Sequence, residues 1–456
     1  MPKRPAAAKS TLKQTAPTAP SEDGAAIRAR ESAAPTVSEA HGPSKRGAIA
    51  GPPPVDEDRV ASQGIRKVTG ERLTLYTDLP VDADLDRLPE LCDQAYRQWC
   101  AYFDRIELAE SAWALRGYLM KDEAKFTAAG LLPDDLPAFA NGYARGLEVW
   151  CRDQETPYYR RHLVLHEATH AFMFAAFGTC GPPWYMEGMA ELLGTHSLID
   201  GRLTLGAFPA APDDVPGWGR IRMVREAVAA GRSLAVDDIL AYTDDAYLVN
   251  EPYAWCWALA AFLDGHPRYR DRFRQLPGEL KVGDFNRRVR QLFAADWPEL
   301  NDEWRVFVHD LDFGYDLARS AIDFAAGEPL AGKQTVTVRT DRGWQASGVR
   351  LAAGKTYRLT ASGRYQVARQ PRPWWCEPGG VTIRYVDGRP LGMLLAAIVP
   401  EEISPEAAEG FLSPVAVGLG ATLTPAESGT LYLRINDRSS GLADNAGALE
   451  TTIEAP

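Results

Sequence analysis

The stretch Tyr158–Phe177 constrains this chain most. It carries Leu163, Leu165, Ala168, Ala171, Phe172 and Phe174 at helical spacing, and Gly178 and Gly181-Pro182-Pro183 forbid its continuation. A second helix is expected at once, from about Trp184 to Leu193. Two helices joined by so short a turn must fold back on each other.

The first helix contains His166-Glu167-Ala168-Thr169-His170. Residues i and i+4 share a helix face one turn apart, so two imidazoles converge on one ion. Glu167, one residue along, reaches a water on that ion. This is zinc chemistry with a general base, and zinc needs a third protein ligand. Trp184-Tyr-Met-Glu187-Gly-Met-Ala-Glu191 supplies it: sixteen residues separate His170 from Glu187, and the reversal returns Glu187 to the histidines. Glu191 lies one turn further, placed to accept a hydrogen bond from a ligand imidazole. The bland alternative is a polar pair on a solvated helix face, but Glu167 and Glu187 fit the metal reading as well. His162, His196, His266 and His309 have no ligand spacing and read as surface or core residues.

The rest of the chain frames this motif. At 456 residues it suits two or three domains. A net charge of −11 argues against a nucleic-acid partner, and apolar runs such as Ala254–Leu263 fall short of a membrane span. Residues 1–66 read as a disordered tail rich in Ala, Pro, Ser and Thr. Residues 1–54 hold eight Lys/Arg against four Asp/Glu, ending in Gly51-Pro52-Pro53-Pro54. No apolar stretch follows Met-Pro-Lys-Arg, so no secretory signal is expected and the cytoplasm is the default compartment. The six cysteines are scattered and read as small buried apolar residues, Cys92 with Cys100 being the one pair near enough in sequence to weigh as a bridge.

Residues 67–327 form the expected first domain. Leu73–Thr77, Trp113–Leu119 and Gly146–Trp150 read as strands, the last entered through an Asn141-Gly142 turn and offering an exposed edge on which an extended peptide could pair. Leu85–Phe103 reads as a helix, and helical patterns dominate from Val224 to Leu311. After Gly327 the pattern changes. Thr335–Val338, Thr356–Thr360, Val381–Tyr385 and Leu431–Ile435 alternate as short strands between turns such as Asp387-Gly388 and Ser428-Gly429. Residues 332–456 therefore predict an all-β sandwich.

The motif pair H-E-A-T-H and P-P-W-Y-M-E-G-M-A-E resembles the gluzincin metallopeptidases, in particular their peptidase-MA-like group, over roughly residues 72–311. The resemblance implies an α+β zincin-like catalytic domain, with a strand-rich N-lobe and a helical C-lobe. It implies zinc on His166, His170 and Glu187, Glu167 as general base, and a peptide or protein substrate. Gluzincins often use a Tyr or His on a later helix as oxyanion donor, which points first to Tyr253 and second to Tyr247.

Near the C-terminus, Asp437, Asp444 and Asn445 group hard oxygen donors around a glycine-containing loop, which is calcium chemistry. About residues 334–453 resemble the galactophilic PA-IL-like lectin module. By that likeness the carbonyls of Gly441 and Val367 complete a calcium cage and the partner is a glycan. The chain departs from the family in having Asp444-Asn445 for an Asn-Asn pair. Its segment 371–395, with Trp374 and Trp375, does not reproduce the lectin's sugar contacts. Two functions compete: a zinc peptidase with an accessory sandwich, and a non-catalytic calcium-dependent carbohydrate-binding protein on a zincin scaffold. A structural surface protein fits the modular layout but no particular residue.

Overall fold

A computed structural model describes residues 51–106, 113–281, 283–400 and 408–455, so most of the expected tail lies outside the described residues. Order begins earlier than Arg66. Asp56 caps helix α1 (Glu57–Ser62) by accepting from Arg59 N, and Val60 and Ile65 are buried. The proline run just before Asp56 masks this short helix in the sequence.

Strands β1 (Arg66–Thr69), β2 (Leu73–Thr77), β3 (Leu115–Met120), β4 (Gly142–Arg145) and β5 (Glu148–Arg152) form one sheet in the order β1-β2-β3-β5-β4. The three central strands run parallel and both edges are antiparallel. Period-two alternation divides the side chains between two layers. Leu73, Leu75, Leu115, Leu119, Val149 and Cys151 face helix α2 (Leu88–Tyr102) and the motif helix. Tyr76, Tyr118, Met120 and Trp150 pack on the other side with α1 and α3 (Glu123–Ala129).

The edge expected at Gly146–Trp150 is corrected. The turn sits at Gly146, φ 63°, and not at Asn141-Gly142. β5 is therefore interior, paired to β3 and β4, and the edge on this side of the sheet is β4. The run Val149-Trp150-Cys151, at most 1% exposed, is the mark of a strand covered on both faces.

Helix α4 (Pro157–Phe177) starts under a Thr156 cap, whose hydroxyl accepts from Tyr159 N, and ends at left-handed Gly178. Helix α5 (Pro183–Gly194) follows, with Pro183 at its first position. A hairpin of β6 (His196–Ile199) and β7 (Arg202–Leu205) leads on to helices α6 (Arg220–Ala229), α7 (Glu251–Gly265), α8 (Phe285–Leu292) and α9 (Trp297–Asp310), with shorter helical turns between them. At Gly188 α5 passes so close to α7 that a Cβ would lie 3.0 Å from the Cys256 carbonyl oxygen. All six cysteines are buried and none forms a disulfide; Cys92 and Cys100 sit two turns apart on α2.

Past a short helix α10 (Leu317–Ser320), the C-terminal region is strand-rich, as expected. One sheet joins β8 (Glu328–Pro329), β10 (Gln345–Leu351), β16 (Leu394–Val399), β17 (Val415–Ala416) and β19 (Gly429–Ile435). A second joins β9 (Lys333–Arg339), β11 (Tyr357–Ser362), β18 (Gly420–Leu423) and β20 (Ala448–Glu454). Val349, Leu431 and Leu433 of the first meet Leu359, Leu449 and Ile453 of the second in one core. Two hairpins flank them: β12 (Tyr365–Ala368) with β13 (Trp374–Cys376), and β14 (Val381–Val386) with β15 (Arg389–Leu391).

The two regions are fused rather than tethered. Val306 of α9 and Ile322 join Trp344, Leu395, Phe411 and Tyr432 in a shared apolar cluster. Arg434–Asp310, Arg438–Asp312 and Arg305–Glu409 pair across the boundary. Beneath the junction, Glu303 accepts from Ile322 N at 2.7 Å and from the Tyr269 hydroxyl, and lies 3.0 Å from His266 Nε2. His266 is thus structural, as expected. Glu303→Ala leaves these buried donors unsatisfied and is expected to destabilise the protein by about 3 kcal/mol, read as a lower thermal midpoint with accelerated proteolysis near residues 320–330.

Candidate metal centre

The reversal from α4 into α5 sets the site. Gly178 and Gly181 turn the chain at positive φ, and Pro183 starts α5 beside α4. This brings together three of the expected residues. His166 Nε2 lies 3.2 Å from His170 Nε2 and 3.2 Å from Glu187 Oε2, and His170 Nε2 lies 3.5 Å from the same oxygen. Zinc bonds of 2.0–2.1 Å to tetrahedral corners place ligand atoms about 3.3–3.4 Å apart. Glu187 Oε2 and His170 Nδ1 are buried without hydrogen-bond partners among the described residues. The donor set, its spacing and the orphaned carboxylate oxygen fit a zinc ion. Burial opposes the charge on Glu187, but His170 and His166 outweigh it and hold its carboxyl at about 2.

Glu167 lies on the adjoining rim, only 6% exposed, and burial raises its pKa against the pull of His166 and His170. It packs against the edge strand: a Cβ at Gly142 would fall 2.4 Å from Glu167 Oε1. Gly142 therefore sets how closely β4 approaches the catalytic candidate.

Glu191 sits behind His166, with Oε1 3.5 Å from His166 Nδ1. The carboxylate is 1% exposed and receives two guanidinium bonds from Arg220, Nη2 at 2.7 Å and Nε at 3.0 Å. Burial disfavours its charge, but Arg220 and His162 hold its pKa well below the usual carboxylate range. Arg220 opens α6 and is absent from the sequence reading; no local motif marks it, since it lies 29 residues from its partner. His162, His166 and Glu191 also have donor atoms close enough to share an ion. Arg220 already supplies the cation that Glu191 needs, so this group orients His166 rather than forming a second centre.

The two tyrosines separate. Tyr247 directs its hydroxyl to Cys256 Sγ at 3.3 Å. Tyr253 lies with its ring 6.2 Å from that of His166, under the Arg220 guanidinium at 5.7 Å. Burial, then Glu187, Glu167 and Glu191, raise its pKa well above 10, so it stays a protonated donor beside these carboxylates.

In the C-terminal region the loop 437–445 brings Asp437 and Asn445 into contact. Asn445 Nδ2 donates to Asp437 Oδ2 at 2.9 Å and to the Thr340 carbonyl at 3.1 Å. Asn445 Oδ1 is buried without a partner among the described residues. Burial pushes the Asp437 carboxyl up to about 6, although Asn445 and Arg438 N bond to it. A Cβ at Gly441 would stand 2.7 Å from Asp437 Oδ1, so a side chain there displaces the Asp437 carboxylate. Asp444 adds its charge to the forces that raise the Asp437 carboxyl, and its Oδ2 lies 3.4 Å from Arg369 N. Val367 is the extra residue of a bulge in β12, which frees its peptide from the regular ladder. A buried carboxylate beside an orphaned amide oxygen fits a hard cation.

Gly142→Ala is expected to displace Glu167 while leaving His166, His170 and Glu187 in place, read in a crystal structure of the variant as a moved Glu167 carboxylate with the other three side chains unshifted.

No family model matches this chain, and no curated protein matches it. Among solved structures, the chain is similar to the N-terminal domain of EclA, described as a PllA-like lectin. The likeness covers 27% of this chain and 95% of that chain at 21% identity, with a TM-score of 0.21.

Proposed function

We propose that the chain is a zinc-dependent peptidase of the gluzincin type, its zincin-like domain built from the mixed sheet and the helical lobe. One observation carries this reading: His166, His170 and Glu187 present donor atoms 3.2–3.5 Å apart around an unsatisfied carboxylate oxygen. A zinc ion held there supplies a Lewis acid that polarises a peptide carbonyl and acidifies water. Glu167 takes the proton of the attacking water and returns it to the leaving amine. Tyr253 donates its hydroxyl hydrogen to the oxyanion of the tetrahedral carbon. The β4 edge, antiparallel to β5 and abutting Glu167 at Gly142, offers backbone groups to an extended peptide. Arg220, through Glu191, fixes the His166 ring.

Glu167→Gln keeps the zinc and is expected to lower cleavage of a peptide library about a thousandfold. Tyr253→Phe is expected to lower kcat about a hundredfold with little change in KM. A zinc-free wild-type protein, or full cleavage by Glu167→Gln, defeats the reading.

A second reading is favoured by the orphaned Asn445 Oδ1: the C-terminal region binds calcium through Asp437, Asp444 and Asn445, and through calcium a glycan. Calcium at a hundredfold its Kd is then expected to stabilise the protein by about 2.7 kcal/mol. Asp437→Asn and Asn445→Ala should each abolish the thermal shift. An equal shift in these variants counts against it.

A further inference from the structure

Of the twelve tryptophans, Trp375 alone is exposed among the described residues, at 52%. Its place in the ladder explains the exposure. Trp375 pairs with Gln366 on β12, while the next residue, Cys376, pairs with Tyr365, and both of those are buried. Paired residues of an antiparallel ladder project to the same face. Trp375 and Gln366 therefore share the outer face of the hairpin.

Gln366 connects that face to the 437–445 loop. Its side-chain Nε2 donates to the Asp444 carbonyl at 2.8 Å. Its backbone exchanges two bonds with Ala446, 2.9 Å and 3.1 Å. The loop, β12 and β13 thus lie side by side, and two strand spacings put Trp375 roughly 10 Å from the loop. The Arg364 guanidinium lies 5.5 Å from the Trp375 ring centroid. Arg364, Arg369, Arg372 and Glu377, at or near the ends of these two strands, are exposed. A single exposed indole with a guanidinium against its ring is a poor apolar interface for a protein. It suits a ligand that is apolar on one face and hydroxylated at its rim, which describes a pyranose ring.

We propose that Trp375 is a stacking subsite for the second sugar of a neutral oligosaccharide whose first sugar sits at the Asp437–Asn445 loop. This rests on the carbohydrate-binding reading of the C-terminal region. The indole takes the C–H face of the pyranose, and the loop carboxylates and the Gln366 amide take hydroxyls. The separation of the loop from Trp375 is the span of linked sugars, not of one.

The test is an array of neutral glycans, probed with the full chain in calcium. The best-binding oligosaccharide and the methyl glycoside of its terminal sugar are then titrated calorimetrically into wild type, Trp375→Ala, Trp375→Phe and Asn445→Ala. The expected result is a loss of about tenfold in oligosaccharide affinity for Trp375→Ala, retention of most of it in Trp375→Phe, and an unchanged methyl glycoside. Asn445→Ala loses both ligands. If Trp375→Ala binds the oligosaccharide as wild type does, or loses both ligands equally, the subsite is wrong while carbohydrate binding stands. If wild type binds no glycan on the array, carbohydrate binding falls and the subsite with it.

Discussion

The charge on Glu191 is the constraint around which the helical lobe is arranged. A carboxylate 1% exposed cannot stay ionised without a partner, and Arg220 meets both of its oxygens. This joins the start of α6 to α5. The same carboxylate touches His162 and His166 on α4. Apolar packing by Trp184, Leu192 and Phe172 decides that these helices meet. It does not decide how an imidazole is rotated about its own axis. The ion pair does: it claims His166 Nδ1 and turns Nε2 toward Glu187.

What could be read in advance follows the range of each interaction. The residues His166, Glu167, His170 and Glu187 were legible because two helices and one tight turn place them. Helix spacing and the Gly-Pro-Pro signal are local in sequence. Arg220 was illegible because it reaches Glu191 only after a hairpin and an irregular connection. The misplaced sheet edge has another cause. Gly146 and Asn141-Gly142 are both credible turns, and only the partner strand β3 decides between them. Helix α1 was lost to the prolines around it, because an average over composition cannot see one aspartate cap.

The C-terminal region shows the same division. Its strands were readable from alternation, and Asp437 and Asn445 do meet. The exposure of Trp375 depends on ladder pairing with β12, which no pattern within 371–380 reveals. The candidate zinc and calcium sites also differ in construction. The first is held by regular helices and a buried ion pair. The second is held by a short 3-10 turn at Ser439–Asp444 whose tightness depends on the missing side chain of Gly441.

Helix α9 belongs to two cores at once. Trp304 and Phe307 face the helical lobe, and Val306, between them in sequence, faces the sheet that carries Trp344 and Tyr432. A cut at the composition change near Gly327 would bare Val306 and Ile322 on one piece and Trp344, Phe411 and Tyr432 on the other. Neither piece is a natural unit of exchange. Grafting the strand-rich region onto another protein, or dispensing with it, requires redesigning the floor on which it stands.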